Sequence, residues 1–408
     1  MPTDFPTRIS FENAGEILAR VAANATLDVE RVALSHCLGR ILATDIASAV
    51  PLPGFDNSAM DGFAIRAADA TLAGSRLALV GEQFAGASLG LQIGERQCVR
   101  ITTGAPLPSG ADAVVMKEDA SLDGAHVVLR NAVVGGQHVR RAGEDVCAGD
   151  RVLRKGQALG PAALSLAAAI GLPDLEVHRR PTVAVFTTGD ELKPPGQSLQ
   201  AGEIHDSNRV LLQTLLRADG YEPVAWPVLP DDPARIAAAL KDAAFSFDVI
   251  ITCGGVSAGE KDFLPAFLAG QGDVYFWKVM MRPGMPLLAG RLGACHLLCL
   301  PGNPVSVFAT YLTLARQFLD GLQARTAPRP RWVARLASPL AKKHERLEFL
   351  RGALDCDSDG QLVVAPNPAD GSHRLRAVAD SNCLIVLPEG AATWPAGARL
   401  DVLPVPRF

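Results

Sequence analysis

The sequence predicts a multi-domain α/β plus β protein, with a doubly wound, mostly parallel sheet domain, a β-rich inserted domain and a small C-terminal β domain. The first observation is length, because 408 residues exceed what one ordinary core holds. The second is that strand-like and helix-like segments alternate from residue 181 to residue 328, as in parallel sheets. The third is that residues 46–146 and the segment after residue 328 carry short β-like runs broken by glycine and proline.

Three helices are predicted before residue 181. Ser10 is a suitable N-cap for a helix over 10–22, where apolar side chains recur at helical spacing. A second helical stretch is predicted near Val29–Ala43. A third is predicted over 160–170, with Gly171 as the residue that ends it.

In the sheet domain, apolar strands alternate with helices that follow Asp206, run from Asp232 to Ala244, and run from Pro304 to about Leu322. The predicted strands are Thr182–Thr187, Val224–Leu229, Val249–Thr252, Val274–Val279, Leu287–Ala289 and Leu297–Leu300. Sheets wound in this way bind ligands outside the carboxyl ends of their strands. The loops at these ends are therefore where a site is expected.

The composition excludes several classes of partner. A formal charge of −4, a pI near 6.1 and an aromatic content of 5% argue against a nucleic-acid partner. The eight cysteines form no C-x-x-C pair, and the histidines show no H-E-x-x-H spacing, so neither disulfides nor zinc are expected. No secretion signal and no apolar run of membrane-spanning length is present, so we expect a cytoplasmic protein with no membrane partner.

The run TCGGVSAGEKDF, residues 252–263, is the strongest single feature. Gly254 and Gly255 allow backbone N–H groups to approach an anion, and a following helix presents its positive end to phosphate. Ser257 adds a hydroxyl, and Asp262 adds a hard oxygen ligand suited to Mg²⁺. The alternative is a tight turn in which Asp262 only caps a helix. The combination of glycine, hydroxyl and acid favours a phosphate site beside a metal ion.

Other strand ends carry charged or flexible residues. Asp190 and Glu191 are adjacent carboxylates, of which helix capping would need only one. Lys278 and Arg282 suit an oxyanion, although isolated basic residues are usually solvated. The run PGNPVS adds Pro301 and Gly302 before a helix, and the loop 202–208 fits an ordinary N-cap as well as a binding role.

Three loops of the β-rich domain carry a second group of polar residues. Residues 51–62 include Asp61, Arg100–Pro106 includes Thr103, and Val139–Asp145 includes Arg140 and Asp145. These loops either complete a cleft in their own subunit or reach a neighbouring one. In the second case the protein is a dimer with two symmetric sites.

Six runs, in order along the chain, resemble the motifs of bacterial molybdopterin molybdenumtransferases and of the molybdenum-inserting domains of gephyrin-like proteins. They are PGFDNSAMDG, TTGAPLPSGADAVV, VRRAGEDV, FTTGDEL, TCGGVSAGEKDF and LPGNPVS. The resemblance covers residues 8 to about 405, which is essentially the whole chain. Six ordered motifs are far more specific than one glycine loop.

The resemblance implies an elongated homodimer whose active sites lie between the α/β domain of one subunit and the β-rich domain of its partner. It implies insertion of molybdate into the dithiolene of adenylylated molybdopterin, with Mg²⁺-assisted release of AMP. Other implied partners are molybdopterin adenylyltransferase and molybdoenzyme maturation factors. The implied domains are 1–26 with 181–328 (α/β, molybdopterin-binding), 46–146 (β-rich), 27–45 with 147–180 (elongated linker) and 329–408 (C-terminal β).

Residue by residue, the resemblance extends to positions in three domains. These are Asp61, Thr103, Arg140 and Asp145 in the β-rich domain, Glu191, Asp231, Asp262, Lys278 and Arg282 in the α/β domain, and Ser372 in the C-terminal domain. The implied roles are Mg²⁺ binding or orientation of the attacking oxygen for Glu191 and Asp262, a phosphate cradle for Gly254, Gly255 and Ser257, charge compensation for Lys278 and Arg282, and substrate orientation across the dimer for Asp61 and Thr103.

The run Arg282-Pro283-Gly284-Met285-Pro286 departs from the family, which often has lysines around its Pro-Gly-Lys-Pro. Arg282 keeps the charge, but Met285 loses one, which argues against oxyanion binding at that second position and leaves open a paralogue with altered activity. Three alternatives also stay open. They are the adenylyltransferase that makes the activated pterin, a molybdopterin carrier or scaffold without turnover, and a sugar- or nucleotide-phosphate transferase.

Overall fold

The computed structural model describes residues 5–256, 263–369 and 371–405. Seven strands form one large sheet. Their order is Thr7–Ile9, Asp273–Val279, Leu288–Leu292, Cys295–Leu300, Val249–Cys253, Val183–Thr187 and Val224–Ala225. Every pairing is parallel except the two that Leu288–Leu292 makes with its neighbours, so the predicted mostly parallel sheet is confirmed.

The strands of this sheet are apolar on both faces, because helices cover both. Val185 packs into the core on one face, whereas Ala184 and Phe186 pack into the core on the other, as the alternation of side chains along a strand requires. The helices on the first face are Phe11–Asn24, Ser207–Ala218, Pro304–Thr310 and Arg316–Leu322; those on the second are Pro233–Ala244 and Leu264–Gln271. The predicted doubly wound arrangement is therefore confirmed.

Capping residues explain where several helices begin. Ser10 accepts a hydrogen bond from the Asn13 amide, and Asp232 accepts two from the first turn of the helix Pro233–Ala244. The last helix of the domain begins at Pro304 after Asn303 and contains a π-helical segment, Tyr311–Ala315. These helix starts agree with the sequence predictions.

The β-rich region is built around a six-stranded sheet. Its order is Ala113–Met116, Gly62–Ile65, Gln97–Ile101, Arg76–Gln83, His126–Leu129 and Ala120–Asp123. Asn57–Ser58 pairs with Val139–Arg140 beside it. The loops that carry Asp61, Thr103 and Arg140 all start or end at strands of this region.

The prediction of a helix near Val29–Ala43 is wrong. Val29–Ala33 is a strand that pairs antiparallel with Asp174–His178, and Gly39 takes a left-handed conformation that no helix interior accommodates. Ile46–Ala47 pairs with Arg151–Leu153, and the predicted third helix spans Pro161–Ala169. The division of the chain into four domains stays a prediction.

The C-terminal region closes into a small barrel. Its strands follow one another around the ring as Leu347–Cys356, Leu362–Pro366, Trp332–Leu336, Arg399–Pro404 and Cys383–Leu387, and the last pairs with the first. A separate two-stranded antiparallel sheet pairs Leu340–Lys342 with Ala392–Trp394, and one helix spans Leu375–Ala379. The two-residue strand Met281–Arg282 pairs with Leu347 and Glu348 and joins the barrel to the sheet domain. Within the described ranges, no helix is long and apolar enough to cross a membrane.

Candidate active site at the edge of the large sheet

A cleft of about 650 Å³ lies at the carboxyl ends of Val183–Thr187 and Val249–Cys253. Several predicted site residues line it. They are Glu191, Asp231, Gly254, Gly255, Pro301 and Gly302. These residues come from four separate loops, which meet because the carboxyl ends of parallel strands lie at one edge of a sheet.

The two glycines after the strand Val249–Cys253 form the floor of the cleft in backbone conformations that favour glycine. Gly254 has φ +99° and Gly255 has φ +70°. A Cβ at Gly254 would lie 2.9 Å from the Thr188 hydroxyl, and one at Gly255 would lie 3.1 Å from Leu264. The Gly254 amide donates to the Leu300 carbonyl at 3.1 Å, so it is not available to an anion. The close approach of backbone to ligand therefore falls to Gly255 and Gly302.

Two carboxylates reach the cleft from the loops after the neighbouring strands. The Glu191 carboxylate folds over Gly189, where a Cβ would lie 2.6 Å from its oxygen, and the φ of +148° at Gly189 is one that favours glycine. The Asp231 amide donates to the Asp190 carboxylate at 3.0 Å, which ties the two loops together. Asp190 thus has a structural role, while Glu191 and Asp231 line the cleft.

A buried carboxylate, that of Asp206, holds the end of the strand Val183–Thr187 and the start of the next helix together. Asp206 is 1% exposed, and it accepts a hydrogen bond from the Thr187 hydroxyl at 2.6 Å and one from the Arg209 amide at 3.1 Å. It is the N-cap of the helix Ser207–Ala218, as one of the two interpretations of this loop expected. The loop also lines the cleft, so its binding role stays a prediction. Asn208 donates to the Gly302 carbonyl at 2.6 Å and fixes the opposite loop.

The barrel contributes one loop to the cleft. The Asn303 side chain donates to the Ser372 hydroxyl at 3.1 Å, and the Val305 amide donates to the Ser372 carbonyl at 3.3 Å. His373 and Leu375 line the cleft beside Ser372. The sequence alone did not indicate that Asn303 would hold this loop, since a single asparagine after glycine reads as a turn residue.

Lys278 and Arg282 do not line the cleft. Lys278 has φ +68°, and its ammonium lies 3.9 Å from the centre of the Trp277 ring. Arg282 forms an ion pair with Glu348 of the barrel at 3.4 Å. The Met285 sulfur contacts the Arg346 guanidinium at 3.7 Å, so Met285 packs toward the barrel.

Glu348 and His344 are residues that the sequence analysis missed. Glu348 is buried, and the His344 imidazole lies 3.1 Å from its carboxylate. Burial lowers the pKa of His344, which opposes the effect of Glu348. The only sequence signal for this pair was a histidine and a glutamate four residues apart. The barrel strand that brings them to Arg282 is a feature of the tertiary structure, which the local sequence does not indicate.

Ser257 and Asp262 lie outside the described residues. Across the described ranges, no group of three or more His, Cys, Asp or Glu side chains could hold a metal ion. The cleft nevertheless offers hard carboxylate oxygens from Glu191 and Asp231, which are the donors that Mg²⁺ prefers. Burial raises the pKa of the Cys253 thiol well above its usual range, so this thiol is a poor metal ligand at neutral pH.

The four site residues predicted in the β-rich region lie elsewhere. The Asp61 carboxylate accepts hydrogen bonds of 2.8 Å from both the amide and the hydroxyl of Thr103, and these bonds lower its pKa. Asp61 lines a separate cavity of about 410 Å³. Arg140 and Asp145 are exposed. No described residue from 46–146 lines the sheet-edge cleft.

The fold and the cleft place the chain in the class of open α/β proteins that bind ligands at strand ends. Three family profiles match it. They are described as the MoeA N-terminal region (domain I and II) over residues 9–171, a probable molybdopterin binding domain over 184–321, and the MoeA C-terminal region (domain IV) over 333–405.

Named relatives and solved structures agree with these profiles. A molybdopterin molybdenumtransferase of Haemophilus influenzae is 38% identical over 92% of this chain and 93% of its own length. Molybdopterin molybdenumtransferase 2 of Mycobacterium tuberculosis is 40% identical over 91% of this chain and 94% of its own. A molybdopterin biosynthesis MoeA protein from Pyrococcus horikoshii has a TM-score of 0.80 at 28% identity and covers 98% of this chain and 100% of its own. The chain belongs to the molybdopterin molybdenumtransferase family.

Proposed function

We propose that this protein inserts molybdate into adenylylated molybdopterin and releases AMP, with Mg²⁺ as the metal ion. The observation that supports this best is the composition of the sheet-edge cleft. Two glycines, Gly255 and Gly302, expose their backbone there beside the carboxylates of Glu191 and Asp231. Such a cleft suits a phosphoanhydride, whose cleavage depends on positioning and charge compensation rather than on a covalent enzyme intermediate.

The carboxylates of the cleft would repel a phosphoanhydride in the absence of a cation. Glu191, together with Asp262, would hold Mg²⁺, which supplies the positive charge that stabilises the phosphate oxygens and the leaving AMP. Gly255 and Gly302 let the phosphate approach the backbone closely, since neither has a side chain. The dithiolene sulfurs come from the substrate, which is consistent with a buried, protonated Cys253.

One cationic group outside the cleft lining, that of Arg282, would contribute to binding the oxyanion. Arg282 has a planar guanidinium group of the kind that binds molybdate or phosphate, and its Nε forms an ion pair with Glu348. Ser372 offers a hydroxyl from the barrel loop that Asn303 holds. In this proposal the barrel and the sheet domain share the binding of molybdate.

We propose further that the active site is completed by a second subunit. Asp61, Thr103, Arg140 and Asp145 are exposed, and none of them lines the cleft of its own chain within the described ranges. In a homodimer with two-fold symmetry, each β-rich region can reach the partner's cleft and form two equivalent sites.

The direct test is an incubation of the purified protein with adenylylated molybdopterin and Mg²⁺, with and without molybdate. We expect AMP release that depends on molybdate and is matched by newly formed molybdenum cofactor. Pterin binding without AMP release would contradict the proposal and indicate a carrier. Adenylylation of molybdopterin from ATP would instead indicate the adenylyltransferase.

A further inference from the structure

A groove lies at the junction between the sheet domain and the barrel, and it shares no lining residue with the sheet-edge cleft. It consists of two cavities of about 860 and 630 Å³ that share Leu312, Arg316, Arg325, Arg329 and Leu403. Its walls come from the first helix, the last helix of the sheet domain, the connection 324–331 and the barrel strands. The groove is therefore large enough for a small metabolite and is lined by both domains.

Arginines outnumber carboxylates in the inner part of the groove. Arg329 binds Asp320 through two hydrogen bonds of 2.7 and 2.8 Å and lies 3.2 Å from Asp219. Arg316 also pairs with Asp219, whose side chain is 3% exposed. The Nε of Arg325 lies 3.9 Å from a carboxylate oxygen of Asp320, which also binds Arg329. Among the described residues, three guanidinium groups thus share two carboxylates, and one positive charge has no carboxylate of its own.

The N–H donors that have no acceptor among the described residues belong to Arg316 and Arg325. Arg316 is 7% exposed, and its Nε is buried and has no hydrogen-bond partner in the part of the chain that the structure describes. Arg325 donates from its Nε to the Ala327 carbonyl at 2.8 Å, whereas its two terminal nitrogens donate to no acceptor among the described residues. A buried polar group without a partner is destabilising, and this applies to the Arg316 Nε, whereas the terminal nitrogens of Arg325 are not among the buried unpaired atoms and can be reached from the groove.

The electrostatic surroundings of Arg325 agree with this geometry. Burial lowers the pKa of Arg325, Asp320 counteracts this, and Arg329 and Arg316 lower it further. The other charges along the groove are peripheral: Arg331 pairs with Asp401 at the exposed rim, and Asp355 is exposed and accepts from the Cys356 amide. The inner part of the groove therefore keeps an excess of positive charge.

We propose that this groove binds a small oxyanion, carried by a phosphate or a carboxylate group, on the unused donors of Arg325 and Arg316. Guanidinium groups form two parallel hydrogen bonds with such anions, and a desolvated site strengthens them. Apolar side chains of Phe11, Leu347 and Phe349 line the same groove and suit an organic part of the ligand. Because the lining comes from both domains, the anion binds across their junction and holds the barrel against the sheet domain.

The test uses the full-length protein and isothermal titration with inorganic phosphate, with sodium chloride at matched ionic strength as the control. A parallel titration with acetate separates phosphate from carboxylate chemistry. We expect saturable binding in the millimolar range, or about −4 kcal/mol. Arg325→Gln is expected to weaken it at least tenfold, and Arg325→Lys is expected to restore part of the loss because the charge returns without the fork.

Two further variants locate the binding. Arg331→Gln removes a paired, exposed arginine from the same groove and is expected to leave the isotherm unchanged. Lys278→Gln removes a cation that lies outside the groove and that the family resemblance assigns to charge compensation in the active site. It is also expected to leave the groove isotherm unchanged, which separates this inference from the proposed function. Three outcomes would overturn the proposal. They are equal weakening by Arg325→Gln and Arg331→Gln, no saturable response beyond that to chloride, and phosphate binding that is lost only in Lys278→Gln. Circular dichroism of each variant checks that it folds.

Discussion

The sheet-edge cleft and the polar loops of the β-rich region carry similar numbers of candidate residues but are built differently. In the cleft, strand ends bring Glu191, Asp231 and Gly255 into one enclosed space. In the β-rich region, Asp61 and Thr103 bind each other at the surface, and Arg140 and Asp145 are exposed.

This difference shows which part of a site a single chain can form. Parallel strand ends converge by topology, so the cleft exists without a partner. Exposed loops have no such constraint, and their polar residues gain an enclosed environment only against another surface. The following predictions test whether the two regions act on the same substrate.

The largest expected effect is that of Glu191→Gln. The amide keeps the shape but loses the charge that would hold Mg²⁺, so AMP release is expected to fall by about 100-fold or more. Initial rates measured over a range of Mg²⁺ concentrations check this. Glu203→Gln is the control, because Glu203 pairs with Lys193 on the same loop and does not line the cleft. Equal rates for wild type and Glu191→Gln would contradict the assigned role.

A smaller effect is expected for Glu348→Gln, which removes the charge that holds Arg282. The guanidinium then loses its fixed orientation, so KM for molybdate is expected to rise about tenfold while kcat changes little. Steady-state AMP release against molybdate concentration measures both constants. Glu345→Gln, an exposed glutamate nearby, serves as the control. An unchanged KM, or the same change in both variants, would show that Glu348 does not position Arg282.

The smallest effect is expected for Thr103→Ala. Its hydroxyl and amide donate to the Asp61 carboxylate and favour the charged form. Removing the hydroxyl leaves only the amide donor, so the pKa of Asp61 is expected to rise part of the way toward its ordinary value. A carbon-13 NMR titration of Asp61 measures this, and Thr103→Ser is expected to keep the low pKa. Because Asp61 stays ionised at neutral pH in all three proteins, activity there is expected to change only a few-fold; an unaltered pKa in Thr103→Ala would contradict the assignment.

Much of the fold was accessible from the sequence because its signals are local. Ser10 predicted the helix that spans Phe11–Asn24, and either Asp231 or Asp232 was expected to cap another, whose N-cap is Asp232. The predicted helix near Val29–Ala43 failed because the partner strand of Val29–Ala33 lies about 140 residues further along the chain, beyond the reach of any local pattern. Periodicity alone does not separate a short apolar strand from a helix.

The site was accessible to a similar extent. The loops with Glu191, Gly254 and Gly302 were expected at one edge, and they line one cleft there. The orientation of Arg282 toward Glu348 was not expected, because it depends on a barrel strand that pairs with Met281–Arg282. Contacts of this kind follow from domain packing, which motifs do not encode.

The measurement that tests the central claim most directly uses purified heterodimers, obtained by co-expressing two differently tagged chains. One heterodimer joins an Asp61→Ala chain to a Glu191→Ala chain; the other joins wild type to a chain with both substitutions. If each site combines one subunit's cleft with the other's β-rich loops, the first heterodimer keeps one intact site and about half of the wild-type AMP release, and the second keeps none. The reverse pattern, with no activity in the first and about half in the second, would contradict the shared site.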